Sequence, residues 1–161
     1  MKDVKITDVL LGEHGVFCAQ FEHLENAIPE CQSLGLVQAQ GAMLTAALET
    51  HACMEDHLLF ANLEPYPSLA SHPLPVMRQE HEWIKGMLAR VQEVRELDEA
   101  KDSLLGAVRV ARQHFSKEEQ ILFPAAEQVL EAERLEELGE MWAQKRQVGM
   151  GHGGCSHDRG A

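Results

Sequence analysis

The chain carries the stretch His51-Ala-Cys-Met-Glu55-Asp56-His-Leu58-Leu59-Phe60 and, in its second half, His114-Phe-Ser-Lys-Glu118-Glu119-Gln-Ile121-Leu122-Phe123. Both read His-x-x-x-Glu-[Asp/Glu]-x-[Leu/Ile]-Leu-Phe. A Glu-His pair stands upstream of each, Glu13-His14 and Glu80-His81. One unit is therefore repeated, and its shared residues are metal-ligand types. In a helix, histidine and glutamate four apart lie about 40° apart around the axis and roughly 6 Å along it, on one face. Two such pairs with two further histidines supply four nitrogens and two carboxylates. That is a ligand set for two metal ions.

Outward from these stretches the periodicity is helical, with no sustained strand alternation. Thr7 is placed to cap a first helix with Asp8 in its first turn. Leu10, Leu11, His14, Phe17, Cys18 and Phe21 form one face of it, and Pro29 marks its end. Ser33 is placed to cap a second helix bearing Leu44, Leu48, His51, Glu55, Leu58 and Leu59, with Gly35 and Gly41 blurring its start. Pro65, Pro67, Pro73 and Pro75 make 64–75 a loop. A third helix carries Met77, His81, Ile84, Leu88 and Val91. Asp98 caps a fourth, bearing Ala107, Ala111, His114, Glu118, Ile121 and Leu122, which Pro124 interrupts. A charged helix follows from about Ala126 to Gln147, with Gly139 a potential break. The bundle domain then spans 1–148, and 149–161 is a flexible Gly/His/Cys tail.

The midpoint between His14 and His51 falls between Gln32 and Ser33, at the first expected turn. The midpoint between His81 and His114 falls between Leu97 and Asp98, at the other. In an antiparallel hairpin, residues equally far from the turn sit at the same height. Each half thus sets its two histidines side by side. Packing the hairpins together predicts an all-α, antiparallel up-down-up-down four-helix bundle with an additional C-terminal helix, its ligands converging inside.

Composition bounds the remaining function classes. The 161 residues suit one domain with a real core. A net charge of −12 disfavours nucleic acid and anionic membranes as partners, since both attract basic patches. No apolar run reaches the length of a membrane span, and none at the N-terminus resembles a signal peptide. Cys18, Cys31, Cys53 and Cys155 form no close paired framework, so reduced thiols in a cytoplasmic protein are expected.

The order His, His-x-x-x-Glu, His, His-x-x-x-Glu over residues 8 to 124 resembles the haemerythrin-like (HHE) cation-binding proteins. The resemblance implies a carboxylate-bridged di-iron centre in which Glu55 and Glu118 bridge, His14 and His51 bind one metal, and His81 and His114 the other. It further implies a small diatomic ligand, dioxygen or nitric oxide. Five-histidine haemerythrins, the reversible oxygen carriers, have a second histidine on the third helix one turn from the first. The positions one turn from His81 are here Met77 and Lys85.

The donor chemistry agrees with that implication. Imidazole with carboxylate suits iron, and also zinc or manganese, better than calcium. Two carboxylates leave residual charge on two divalent ions, inviting an oxo or hydroxo bridge. Four protein donors per metal leave positions for a small molecule, as a reactive site requires. Binding or sensing of a diatomic is the first expectation. The alternatives are turnover of peroxide or nitric oxide, iron donation to damaged iron centres, and a structural zinc bundle. Glu13 and Glu80 are equally placed to orient imidazoles or to sit in water. Asp56 and Glu119 read as solvated, His57 as facing away from Glu55, and His23 and His72 as surface residues. His152, Cys155 and His157 are metal-ligand types in the tail.

Overall fold

Helix α1, Ile6–Ala27, starts where the Lys5 backbone N–H donates to Asp8 Oδ2 at 3.2 Å. Thr7 is therefore not the cap. It lies buried in the first turn, and its hydroxyl donates to Glu127 Oε1 at 2.6 Å. Helix α2, Leu34–Met54, opens on Ser33, whose hydroxyl accepts the Leu36 N–H at 3.2 Å. It runs on through a π-helical turn, Glu55–Phe60, into Ala61–Leu63. A short α3, Pro67–Ser71, occupies the expected loop. Helix α4, Leu74–Glu93, accepts Pro75 in its first turn, where no N–H partner is needed. The structure, a computed structural model, describes residues 4–148, and among these there is no strand. The tail at 149–161, with His152, Cys155 and His157, lies outside the described residues.

Helix α5, Leu97–Lys117, starts beside Glu96 rather than Asp98, which sits in its first turn. It passes through a second π-helical turn, Glu118–Leu122, into Phe123–Val129. Pro124 therefore does not interrupt the helix. The wide turn pairs the Phe123 N–H with the Glu118 carbonyl, and a residue with no N–H to give is accommodated just after it. The break comes instead at Leu130 and Glu131, before α6, Ala132–Arg146. Gly139 leaves α6 unbroken, because its role is space: a Cβ there would collide with the Val4 carbonyl oxygen. Gly41 serves α2 in the same way. A Cβ at that position would lie 2.8 Å from Val91 Cγ1, so α2 and α4 approach closely.

Helices α1, α2, α4 and α5 form the bundle, and α6 lies along α1. Two apolar clusters stack along its axis. Phe17, Phe21, Leu44, Leu88, Leu104 and Phe115 belong to one. Ile6, Leu10, Leu59, Phe60, Leu122 and Leu138 belong to the other. Each fully buried Leu or Phe contributes roughly 1.5–3 kcal/mol. The histidine and glutamate layer lies between these clusters, so apolar burial above and below offsets the cost of polar groups within. Two expected core residues face solvent, Leu11 (49% exposed) and Ile121 (54% exposed). Leu58, the counterpart of Ile121 in the repeat, is buried, because α6 packs against the π-turn of α2. Among the described residues, no helix is long and apolar enough to cross a membrane.

Candidate metal centre

Both glutamates of the repeat stand at the junction between α-helix and π-turn, Glu55 after Met54 and Glu118 after Lys117. Each remains one α-turn from its histidine, so the expected pairing on one face is kept. The widened turn that follows is a local irregularity of the kind that concentrates at functional sites. It recurs at the same register in both halves. The motif was visible in the sequence, but the turn was not, because nothing in the residue types distinguishes a five-residue from a four-residue hydrogen-bond step.

The four histidines meet in the core as the hairpin heights predict. His14 Nε2 lies 3.2 Å from His51 Nε2, and His81 Nε2 lies 2.9 Å from His114 Nε2. Glu55 divides its oxygens between the two pairs. Its Oε1 is 2.9 Å from His51 Nε2 and 3.6 Å from His14 Nε2, while its Oε2 is 3.2 Å from His81 Nε2. Glu118 divides likewise, with Oε2 at 3.3 Å from His14 Nε2 and Oε1 at 3.3 Å from His114 Nε2. Two overlapping sets of four donors result, His14/His51/Glu55/Glu118 and Glu55/His81/His114/Glu118, each with its ligand atoms within 4.8 Å of one another.

These donors fit a pair of cations. Both carboxylates are fully buried, and none of their four oxygens has a hydrogen-bond partner among the described residues. A buried carboxylate left so is costly without a positive charge beside it. Two imidazole nitrogens bound about 2.0–2.1 Å from one ion, near a right angle, stand about 3 Å apart. Both histidine pairs have that spacing.

Three of the imidazoles are held from behind by carboxylates and the fourth faces one, in a twofold pattern. Glu13, on α1, accepts from His51 Nδ1 on α2 at 2.6 Å. Glu80, on α4, accepts from His114 Nδ1 on α5 at 3.1 Å. Glu119, after the second π-turn begins, accepts from His14 Nδ1 at 2.9 Å. Asp56, its counterpart, faces His81 Nδ1 at 3.8 Å. Asp56 and Glu119 are solvated, with side chains 39% and 37% exposed, but they also face the imidazoles. Each turns back onto a histidine of the opposite half, and the repeat itself carried that signal, since both occupy one motif position. The aspartate is one methylene shorter, and its contact is correspondingly longer. Cations back two of the four: Arg146 of α6 reaches Glu13 Oε1 at 2.5 Å, and Lys117 pairs with Glu80. No motif marked Arg146 or Lys117 in the sequence. A carboxylate on Nδ1 fixes the tautomer that leaves Nε2 as the inward donor.

Electrostatics follow from this closeness. Burial by itself pulls His14 down, but the Glu118 and Glu55 carboxylates beside it reverse this and push the ring up to about 9. Burial is likewise outweighed at His51, by the charge of Glu55 and the Glu13 carboxylate on its Nδ1, which lift it to about 10. Asp56 and Glu55 overcome burial at His81 and raise it to about 10. His114 is raised against burial by Glu118. Burial would raise Glu55, yet the adjacent imidazoles hold it well below the usual carboxylate range. In the metal-free chain, protons on nitrogen balance the carboxylates. A cation binding there must displace them.

A cavity of about 330 Å³ lies between α2 and α4 and reaches His51, His81 and His114. Its inner wall is apolar, from Leu48, Ile84, Leu88 and Phe115, and Lys85 also lines it. His81 is 10% exposed, whereas His14, His51 and His114 are sealed. His57 is exposed, as are His23 and His72, in line with the sequence reading.

The family model for the hemerythrin HHE cation-binding domain matches residues 5–126 and, in an overlapping second match, residues 72–151. No curated protein and no solved structure matches the chain. The repeated His-x-x-x-Glu unit, the helical bundle and the convergent donors all agree with a match over most of its length, and the chain belongs to the hemerythrin HHE cation-binding domain family.

Proposed function

We propose that this chain is a non-haem di-iron protein that binds or senses a small ligand, dioxygen or nitric oxide. Its centre would be held by His14, His51, Glu55, His81, His114 and Glu118. One observation carries the reading: each buried carboxylate splits its two oxygens between two histidine pairs. A single-ion site has no use for that division, and a bridged pair of ions does. Iron in such a site supplies a redox-active Lewis acid with coordination positions that the protein leaves open.

The chain's own residues prepare the site. Glu13, Glu80 and Glu119 hold Nδ1 protons in place, so three of the four rings are oriented before any cation binds. Phe115 stacks on His14 with ring centroids 3.9 Å apart, which fixes that imidazole laterally. The cavity beside His81 and His114 has room for a diatomic, and its inner wall is apolar. The exposed edge of His81 supports a second reading, turnover of peroxide or nitric oxide in place of simple binding. The test is metal analysis joined to an optical spectrum of protein produced in iron-rich medium. Anaerobic mixing of the reduced protein with dioxygen or nitric oxide then follows. Two irons per chain and a ligand-dependent spectrum are expected. One ion per chain, or a spectrum indifferent to both gases, would reject the reading.

A further inference from the structure

At the mouth of the cavity between α2 and α4, Cys53 Sγ lies 3.4 Å from His57 Nδ1, one helical turn along α2. Both side chains are exposed. A tetrahedral ion with metal–sulfur near 2.3 Å and metal–nitrogen near 2.0–2.1 Å holds two such donors about 3.5 Å apart. The observed separation is that bite. His57 Nδ1 also donates to the Cys53 carbonyl oxygen at 2.8 Å, and it must release that hydrogen bond and turn its lone pair toward the sulfur to bind a cation. Helical backbone places both donors one turn apart, so a turn of the imidazole is enough and the backbone stays as it is.

A second observation concerns what lies inward. The same cavity is lined by Asp56 and by His81. His81 is nine-tenths buried, and its Nδ1 has no hydrogen-bond partner among the described residues. Asp56 Oδ1 is likewise buried without one. Metal-ligand atoms therefore run from the surface pair, past Asp56, to the edge of the buried set. Across the bundle, the His14 side has no such break, since Glu119 closes it at 2.9 Å.

We propose that Cys53 and His57 form a capture site for a borderline-soft divalent transition-metal cation at the mouth of this cavity, from which cations reach the buried ligands. Thiolate with imidazole prefers such ions over magnesium or calcium. Two protein donors leave the remaining positions to water, so the ion is held loosely enough to move on. The delivery role rests on the buried residues being a metal site, as proposed above. The capture itself does not.

The experiment uses the full chain with its buried set first saturated with zinc, kept reduced and free of oxygen. Cobalt(II) is then added as the probe, because a thiolate ligand gives it an intense near-ultraviolet charge-transfer band. A cobalt ion beyond the saturating zinc, showing that band, is expected. The band should vanish in Cys53→Ser, weaken in His57→Gln, and persist in Cys155→Ser. A band unchanged in Cys53→Ser, or no binding beyond the zinc, would overturn the capture site. Metal-free Cys53→Ser should also load its buried set several-fold more slowly while reaching the same final occupancy. Equal loading rates would overturn the delivery role. Failure of the buried set to take up zinc at all would count against the function proposed above, with the cobalt band still deciding the surface pair.

Discussion

Glu55 Oε2 lies 3.2 Å from His81 Nε2, although the two residues belong to different halves of the repeat. Its other oxygen stays with His51, one turn back on its own helix. The carboxylate therefore joins the hairpins electrostatically as well as sterically. Glu55→Ala should lower the occupancy of both metals together, because each depends on one of its oxygens. Metal analysis of the purified variant checks this. Retention of one full equivalent with loss of the other would show that Glu55 serves a single ion.

Removing metal should soften the fold. Without cations, four buried carboxylate oxygens have no hydrogen-bond partner among the described residues. Binding to the native state alone stabilises it by mass action, about 2.7 kcal/mol at a free concentration a hundredfold above Kd. For a domain of this size that corresponds to about 5–10 °C in melting temperature. Chelated and loaded protein compared by calorimetry should differ by at least this much. Coincident melting curves would mean the buried residues are not a metal site.

The pH dependence of the two forms should diverge. Three site histidines are lifted to about 9 or 10 in the metal-free fold, and His114 is raised too. An unfolded imidazole titrates near 6.5. The folded chain therefore binds more protons across the interval between, and its stability falls as pH rises there. The contribution is complete below about pH 6.5 and gone once pH passes the folded values. Glu55 acts oppositely: held well below its usual range, it stabilises until pH falls through its depressed value. Metal binding releases protons, so loading strengthens as pH rises. The melting-temperature gap between loaded and metal-free protein should widen from pH 6 to 9. Parallel curves would contradict the assigned proton balance.

The fourfold backing of the imidazoles is unequal, and the inequality is testable. Glu119 reaches His14 Nδ1 at 2.9 Å, while Asp56 stops 3.8 Å from His81 Nδ1. Losing a carboxylate that orients a metal-bound imidazole costs about 10–100-fold in affinity. Glu119→Gln should show a cost of that order in chelator competition, and Asp56→Asn a smaller one. Asp56→Glu supplies the missing methylene and should tighten the His81 side. Equal losses from Glu119→Gln and Asp56→Asn would mean the distances do not govern the effect.

The ligand layer was legible in the sequence because two constraints coincide on it. The four-residue spacing fixes a helix face, and equal distances from two turns fix a height. His14, His51, His81 and His114 satisfy both, and they meet. What escaped depended on geometry with no residue signature. The π-turns after Met54 and Lys117 are set by hydrogen-bond register, not composition. Arg146 reaches Glu13 only because α6 folds back along α1. Thr7 does not cap α1 because its hydroxyl finds Glu127, a partner far away in sequence, in preference to the local helix terminus. The intrinsic preferences of Pro124 and Gly139 point to helix breaks, whereas their tertiary surroundings give each a use.

The side of the centre that faces the cavity decides what an iron-loaded protein does with dioxygen. In the five-histidine pattern, a second imidazole on the third helix would stand one turn from His81. Met77 occupies one such position, buried in the apolar cluster that holds Leu59 and Phe60, and a thioether is a poor donor for this ion class. Lys85 occupies the other and lines the cavity, exposed and charged, and would have to lose its proton to bind. Neither supplies the missing imidazole, so an ion held by His81 and His114 would keep a position open toward a cavity of about 330 Å³. Solvent and a second small molecule can reach it by the same path. Reversible storage requires that nothing else arrive. Oxidation or turnover is therefore expected in place of long-lived oxygen carriage. Reduced, iron-loaded protein is to be mixed with dioxygen, its absorbance followed, and the gas then removed. The reduced spectrum should fail to return, and added reductant should be needed to restore it. A spectrum that recovers on deoxygenation alone, through repeated cycles, would show that the open position is protected by means other than a fifth histidine.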